Sequence, residues 1–206
     1  MKTLGNPRVR KSVLSLLPCA TGVATDYIVN RALRLNCVSS LYGDLWEGVS
    51  SKNISKDGWV CEKPGLEGWS DLSSSEWCVD FPVRNDCEYR QALVELDVLA
   101  AIQIDISCGE LVQIYNELFP TLIKYDSTDL YDSVGKRLPN SLRRDSGAKE
   151  VKLALETHDG ISPITVSWEI DNGIQIVTRT FYPPFVGVDR IEDYHTAYRV
   201  FSERLG

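Results

Sequence analysis

The chain has 206 residues, 43% of them apolar and 25% charged. That is the composition of a folded globular protein with a sizeable core, and it excludes a disordered tail or low-complexity segment. A net charge of −7 and a sequence pI near 4.9 exclude a general polyanion binder, so any contact with nucleic acid has to be local.

Basic residues cluster at Lys2, Arg8, Arg10 and Lys11, at Arg31 and Arg34, and at Lys136, Arg137, Arg143 and Arg144. The six cysteines form no C-x-x-C pair, and the two histidines, His158 and His195, are far apart in sequence, so no zinc or other metal site is expected. The apolar run from Val13 to Ala24 holds Pro18 and Gly22 and is too short to span a bilayer. A signal peptide ending near Cys19-Ala20 is the alternative reading of that run, since Arg8, Arg10 and Lys11 precede it. The leading expectation is a cytoplasmic protein with reduced thiols and no membrane association.

Along the chain, residues 1–46 read as a helical lead-in, in which Tyr27, Ile28, Arg31, Ala32 and Leu35 keep helical spacing and Leu41, Leu45 and Trp46 give a second apolar face. Residues 47–88, rich in Gly, Ser and Asp, read as an irregular excursion anchored by Trp59, Trp69 and Trp77. A helical hairpin is predicted over 89–119. Its first arm is apolar nearly all round (Leu93, Val94, Leu96, Val98, Leu99, Ala101, Ile102) and is expected to be buried. Its second arm opens with the capping box Ser107-x-x-Glu110, carries Leu111, Ile114, Tyr115 and Leu118 on one face, and ends near Pro120.

After a polar connection the period changes to two, and an antiparallel sheet is predicted over 151–182. Its strands run through Val151, Leu153 and Leu155, then Ile164, Val166, Trp168 and Ile170, then Ile174 and Ile176, with a hairpin turn at Asp171-Asn172-Gly173. A helix over 189–205, opened by Asp189-x-x-Glu192, docks the stripe Ile191, Tyr194, Tyr198, Phe201 and Leu205. The fold expected is a single α+β domain over 1–206, helical first, with a small antiparallel sheet and a closing helix.

The motifs of common enzymes are missing. Adenine methyl transfer needs an Asn/Asp-Pro-Pro-Tyr/Phe loop and a glycine-rich donor loop. Tyr182-Pro-Pro-Phe185 lacks the amide or carboxylate at its first position and reads as a rigid polyproline-like connector. G-x-S-x-G, Walker A, H-E-x-x-H and PD-(D/E)-x-K strings do not occur. Glu95 and Asp97 point about 100° apart on a helix and cannot jointly hold a metal from that spacing. They read as partly buried acids paired with Arg90 or Arg34. Cys108 and His195 are a nucleophile and a base by type, but nothing in the sequence brings them together, and a small buried thiol is the commoner role. No catalytic residue, cofactor or metal ligand is assigned.

The string Tyr89-Arg-Gln-Ala-Leu-Val-Glu-Leu-Asp-Val-Leu-Ala-Ala-Ile102, followed by Glu110-Leu-Val-Gln-Ile-Tyr-Asn-Glu-Leu-Phe-Pro120, resembles a stretch near the C-terminus of very large adenine-specific class I DNA methyltransferases of bacterial restriction-modification and phage-defence loci. Leu33-Arg-Leu-Asn-Cys-Val-Ser-Ser-Leu-Tyr-Gly-Asp-Leu-Trp46, Tyr131-Asp-Ser-Val-Gly-Lys136 and Tyr182-Pro-Pro-Phe-Val-Gly-Val-Asp-Arg-Ile-Glu-Asp-Tyr194 are similar to further pieces of the same region, in the same order. In that family the catalytic domain lies upstream, and the resemblance implies for this region a part in DNA engagement, target recognition or scaffolding. The present sequence lacks the catalytic domain and opens on methionine, which reads as a separately encoded subunit, a split-gene product or a truncated relic.

The expected function is therefore a non-catalytic accessory or specificity module. Its partner is a large methyltransferase or other defence-system subunit, with double-stranded DNA as a further candidate partner contacted through Lys136, Arg137, Arg143 and Arg144. The alternatives are a protein-interaction or DNA-mimicking inhibitor module that binds no DNA, and an enzyme with an unrecognised site. Lacking both loops, the purified chain is expected neither to bind S-adenosylmethionine nor to methylate DNA; micromolar donor binding by calorimetry would overturn this.

Overall fold

The computed structural model describes residues 23–170 and 173–206. The expectations for the basic cluster at Lys2 to Lys11, for the apolar run up to Gly22 and for the Asp171-Asn172 turn lie outside the described residues.

The described chain is α+β. Helix α1 spans Val23–Asn36 and α2 spans Gly43–Val49; α3 spans Asp86–Gln103, α4 Cys108–Leu118 and α5 Pro120–Asp126. The short strand β1 (Leu130–Tyr131) leads to α6 (Ala148–Glu156), strands β2 (Ile164–Ile170), β3 (Gln175–Phe181) and β4 (Val186–Gly187), and the closing helix α7 (Arg190–Leu205).

The helix starts follow side-chain chemistry. Asn85 Oδ1 accepts the Glu88 N–H at 2.8 Å to open α3, the Ser107/Glu110 capping box forms at α4, and Asp189 Oδ1 accepts the N–H groups of Ile191 and Glu192 at α7. Each cap satisfies amides that have no partner within the helix.

Three clusters of buried side chains make the core. In the first, α3, α4 and α7 interlock through Val94, Val98, Leu99, Leu111, Tyr115, Tyr194 and Phe201. The second holds Leu33, Cys37, Trp46, Ile54, Trp69 and Leu72, where α1 meets the 47–88 excursion. Of the three tryptophans expected to anchor that irregular segment, Trp59 donates to Glu67 O, Trp77 donates to Cys37 O, and Trp69 is buried in the second cluster without a partner for its indole N–H among the described residues; Trp46, on α2, donates to Ser73 O. The third packs α6 on the β2–β3 hairpin through Val151, Ile164, Val166, Trp168 and Phe181.

An ion pair joins the first two clusters. Arg31 on α1 is wholly buried; its Nε donates to Glu95 Oε2 on α3 at 2.5 Å, Nη1 to Asp57 Oδ2 at 2.9 Å and Nη2 to Gly58 O at 2.9 Å. Glu95 Oε1 in turn accepts Val60 N–H and Gln91 Nε2. Burial opposes the Arg31 charge, yet Glu95 and Asp57 outweigh it and raise its pKa above the usual arginine value.

Several expectations are corrected. Val151, Leu153 and Leu155 lie on helix α6 and not on a strand. Ala148, Lys149, Lys152, Leu153, Ala154 and Leu155 are strong helix formers, and the i, i+3, i+4 set Val151, Ala154 and Leu155 faces the sheet while Leu153 stands 54% exposed. The β2–β3 hairpin pairs Ile164 with Phe181 and Trp168 with Val177, which sends Ile176, opposite Glu169, to the outer face at 67% exposure; Ile174 is 86% exposed.

Glu95 is buried as expected, but its partner is Arg31. Arg34 pairs with Glu88, and Arg90 with Asp193 and Asp126. Asp97 stays half-exposed, accepting Tyr194 Oη–H at 2.8 Å. Nor is α3 buried all round: its hidden stripe carries Glu88, Arg90, Gln91 and Glu95 beside Val94, Val98 and Leu99, whereas Leu93 is 38% exposed.

Leu99→Ala is accordingly expected to cost about 2–5 kcal/mol and Leu96→Ala, at a half-buried position, clearly less. Glu95→Ala, which strands Arg31, is expected to cost about 3–5 kcal/mol. Denaturant midpoints of the three variants check the order.

Candidate binding surface

Two depressions lie side by side where α3, α4, α5 and α7 meet. The first, about 430 Å³, is apolar: Leu93, Ala100, Ile104, Ile114, Phe119 and Leu122 line it, and Tyr115 and Tyr194 lie beneath. Ile104 is 55% and Phe119, between α4 and α5, 48% exposed. The second, about 370 Å³, is lined by Arg90, Arg137, Arg143 and Arg190 with Tyr89, Tyr131, Asp86 and Asp126. Leu93, Leu122 and Arg190 border both.

The second cavity is held by a lattice of opposite charges. Arg190, the first residue of α7, donates Nε to Asp126 Oδ2 at 2.6 Å, and the same oxygen accepts Tyr115 Oη–H at 3.0 Å. Burial works against the Arg190 charge, but Asp126 more than compensates and lifts its pKa well above the ordinary value. Tyr115 is pushed up to about 12 by burial and by Asp126. Arg90 Nη1 donates to Asp193 Oδ2 at 2.5 Å, and Lys63 also pairs with Asp193.

The tight turn after β1 sets the opposite wall. Asp132 Oδ1 accepts Val134 and Lys136 N–H, and Gly135, at φ +80°, presses so closely on the Asn85 side chain that a Cβ there would collide with it.

The four basic residues expected to meet DNA divide into two pairs. Arg143 clamps Asp129 with Nε at 2.9 Å and Nη2 at 2.6 Å and stacks 4.0 Å over the Tyr125 ring. Arg137 donates Nη1 to Asp145 Oδ2 at 2.7 Å. These two are half-buried and build the cavity wall. Lys136 and Arg144 are exposed, with no side-chain partner among the described residues. Asp129 and Asp145, which flank the basic residues in sequence, are the acids that hold Arg143 and Arg137. Neither Arg90, in the second turn of α3, nor Arg190, at the start of α7, carries a periodic signal in the sequence that marks it as a site residue.

Cys108 and His195, far apart in sequence, are brought together, with Sγ 3.3 Å from Nδ1. Partial burial nevertheless raises the thiol pKa, and neither residue borders the apolar or the arginine-lined cavity. Among the described residues no group of His, Cys, Asp and Glu could hold a metal ion, and no helix is long and apolar enough to cross a membrane. Comparison of the chain with protein-family models, with curated proteins and with solved structures gives no match.

A thiol whose folded pKa lies above its unfolded value stays protonated at neutral pH and reacts only as pH climbs through the raised pKa. Cys108 is therefore expected to react with iodoacetamide at pH 7.5 no faster than the unfolded chain does, and His195→Ala should change that rate by less than about twofold. Peptide-resolved mass spectrometry of the alkylated chain checks both; faster labelling that needs His195 would mark an activated nucleophile.

Proposed function

We propose that this chain is a non-catalytic accessory or specificity module of an adenine-specific DNA methyltransferase or related anti-phage assembly in the cytoplasm, and that it docks the methyltransferase chain through its apolar groove. The observation that carries this reading is the groove itself. Leu93, Ile104 and Phe119 are left in water although the first apolar cluster borders the groove, and a contiguous exposed apolar depression rimmed by polar residues is typical of a surface covered by another chain. The occupant is argued from the resemblance: two of the similar strings, residues 89–102 and 110–120, supply α3 and α4, whose side chains line the groove. In that family the catalytic domain belongs to the same protein as this region.

DNA enters as a ligand of the assembly, with Lys136 and Arg144 as the solvent-facing cations available to it. The rival reading, a protein-interaction module that binds no DNA, draws on the net charge of −7 and on the engagement of Arg137 and Arg143 by aspartates.

Co-expression with an adenine-specific class I methyltransferase truncated before its C-terminal region is expected to give a co-eluting complex that Ile104→Asp with Phe119→Asp abolishes while the variant still folds. Failure to co-elute, or co-elution unaffected by the double variant, refutes groove docking. In the complex, Lys136→Ala with Arg144→Ala should reduce the dependence of DNA affinity on salt by up to about two phosphate contacts; an unchanged slope favours the module that binds no DNA.

A further inference from the structure

Arginine is donor-only, so a buried guanidinium N–H is satisfied by an oxygen acceptor or is left at the cost of its lost hydration. Arg90 leaves two such nitrogens. Its side chain is only 7% exposed, Nη1 is committed to Asp193, and Nε and Nη2 are buried without a hydrogen bond. Nε lies 3.5 Å from Asp126 Oδ1, an ion-pair distance without hydrogen-bond geometry. Arg90 lines the cavity that Arg137, Arg143 and Arg190 also line.

These four guanidiniums come from α3, from the turn after β1, from the loop before α6 and from α7, so the fold converges them from separate parts of the chain. Their aspartates do not use every donor: Arg143 Nη1 and the Nε and Nη2 of Arg137 make no hydrogen bond among the described residues. Of the two lining acids, Asp126 is spent on Arg190 and on Tyr115. Asp86 Oδ2 accepts the Arg137 backbone N–H and is the one lining carboxylate that no guanidinium hydrogen-bonds.

We propose that this cavity is a phosphate-binding site, in which Arg137 and Arg143 hold the non-bridging oxygens of a phosphate group and Arg90, once its buried Nε and Nη2 turn toward the cavity, completes the donor set. A carboxylate offers two coplanar oxygens, which one arginine fork satisfies; donors converging from several directions suit a tetrahedral acceptor with three. A volume of about 370 Å³ accommodates more than the anion, and Tyr89, 53% exposed, lines the same cavity and offers an aromatic ring to whatever the phosphate carries. The phosphate is either free or part of a nucleic-acid strand. The site does not depend on groove docking and stands if that docking fails.

Calorimetric titration of the full chain in chloride buffer tests it with three probes: inorganic phosphate, a short single-stranded oligonucleotide with a 5′-phosphate, and the same strand with a 5′-hydroxyl. Saturable one-to-one binding of phosphate is expected, with Kd near 1 mM or tighter, a modest affinity for a small ligand. Preference for the 5′-phosphorylated strand marks a terminal phosphate; equal binding of both strands, displaced by phosphate, marks a backbone diester; binding of inorganic phosphate alone marks the free ion.

Arg143→Gln should weaken binding by about tenfold, the loss expected for a charge-assisted donor. Asp86→Asn, which removes the opposing charge, should tighten it about threefold or more. Arg90→Lys should abolish binding, and if that variant does not fold, the other two carry the test. No saturable binding by any probe, or an affinity unchanged in both Arg143→Gln and Asp86→Asn, overturns the proposal.

Discussion

The architecture depends on one buried ion pair, Arg31 with Glu95. A guanidinium and a carboxylate withdrawn completely from water are tolerated only when their remaining donors and acceptors are satisfied, because the desolvation penalty is several kcal/mol for each ion. The protein meets that condition by bringing a third segment to the pair. Asp57, Gly58 O and Val60 N–H come from the irregular excursion between α2 and α3, so a stretch with almost no regular structure is held in one place by electrostatic necessity. The aromatic side chains then fill in around the charge: the Arg31 guanidinium lies 4.9 Å from the Trp69 ring centroid and 5.0 Å from that of Phe201. Cation and ring faces attract, and α1, α3, α7 and the excursion share a single fixed point.

The same solution recurs where α3, α5 and α7 meet, but there it is incomplete. Asp126 and Asp193 occupy part of the donor capacity of Arg90 and Arg190, and Arg90 keeps two buried nitrogens without a hydrogen-bond partner among the described residues, beside a cavity. Next to it the apolar groove presents the opposite chemistry, with Leu93 and Leu122 common to the two. A surface with an apolar trough running into a cationic hollow suits a chain that meets more than one kind of ligand on one face.

Local chemistry made much of this legible in sequence. The capping box at Ser107, the cap at Asp189 and the tryptophan anchors all rest on contacts within a few residues or on side chains too large to leave in water. Period alone points to a strand at Val151, Leu153 and Leu155, but the helix propensity of the residues around them decides, and Leu153 is left off the packed face. It misled again at Ile174 and Ile176, because the parity of a strand is set by its partner across the hairpin. The pairing of charges was least accessible: Glu95 could be seen to need a cation, but the choice of Arg31 over Arg34 or Arg90 follows from how α1 lies against α3. The candidate surface was half visible, in Arg137 and Arg143, and half hidden, since Arg90 and Arg190 gain their setting only from long-range packing.

Asn85 links the start of a helix to the shape of a distant turn. Its Oδ1 caps α3, its Nδ2 donates to Gly65 O at 2.8 Å, and its side chain leaves Gly135 no room for a Cβ. Gly65 is packed against the Gly135 backbone just as closely, Cys87 N–H donates to Gly135 O, and Arg137 N–H donates to Asp86 in the first turn of α3. Three segments thus meet with no slack, and the register of Arg137 against Arg90 is set by backbone contact. In evolutionary terms such a joint drifts as a unit: Gly65, Asn85 and Gly135 are positions at which relatives would keep all three residues or exchange them together.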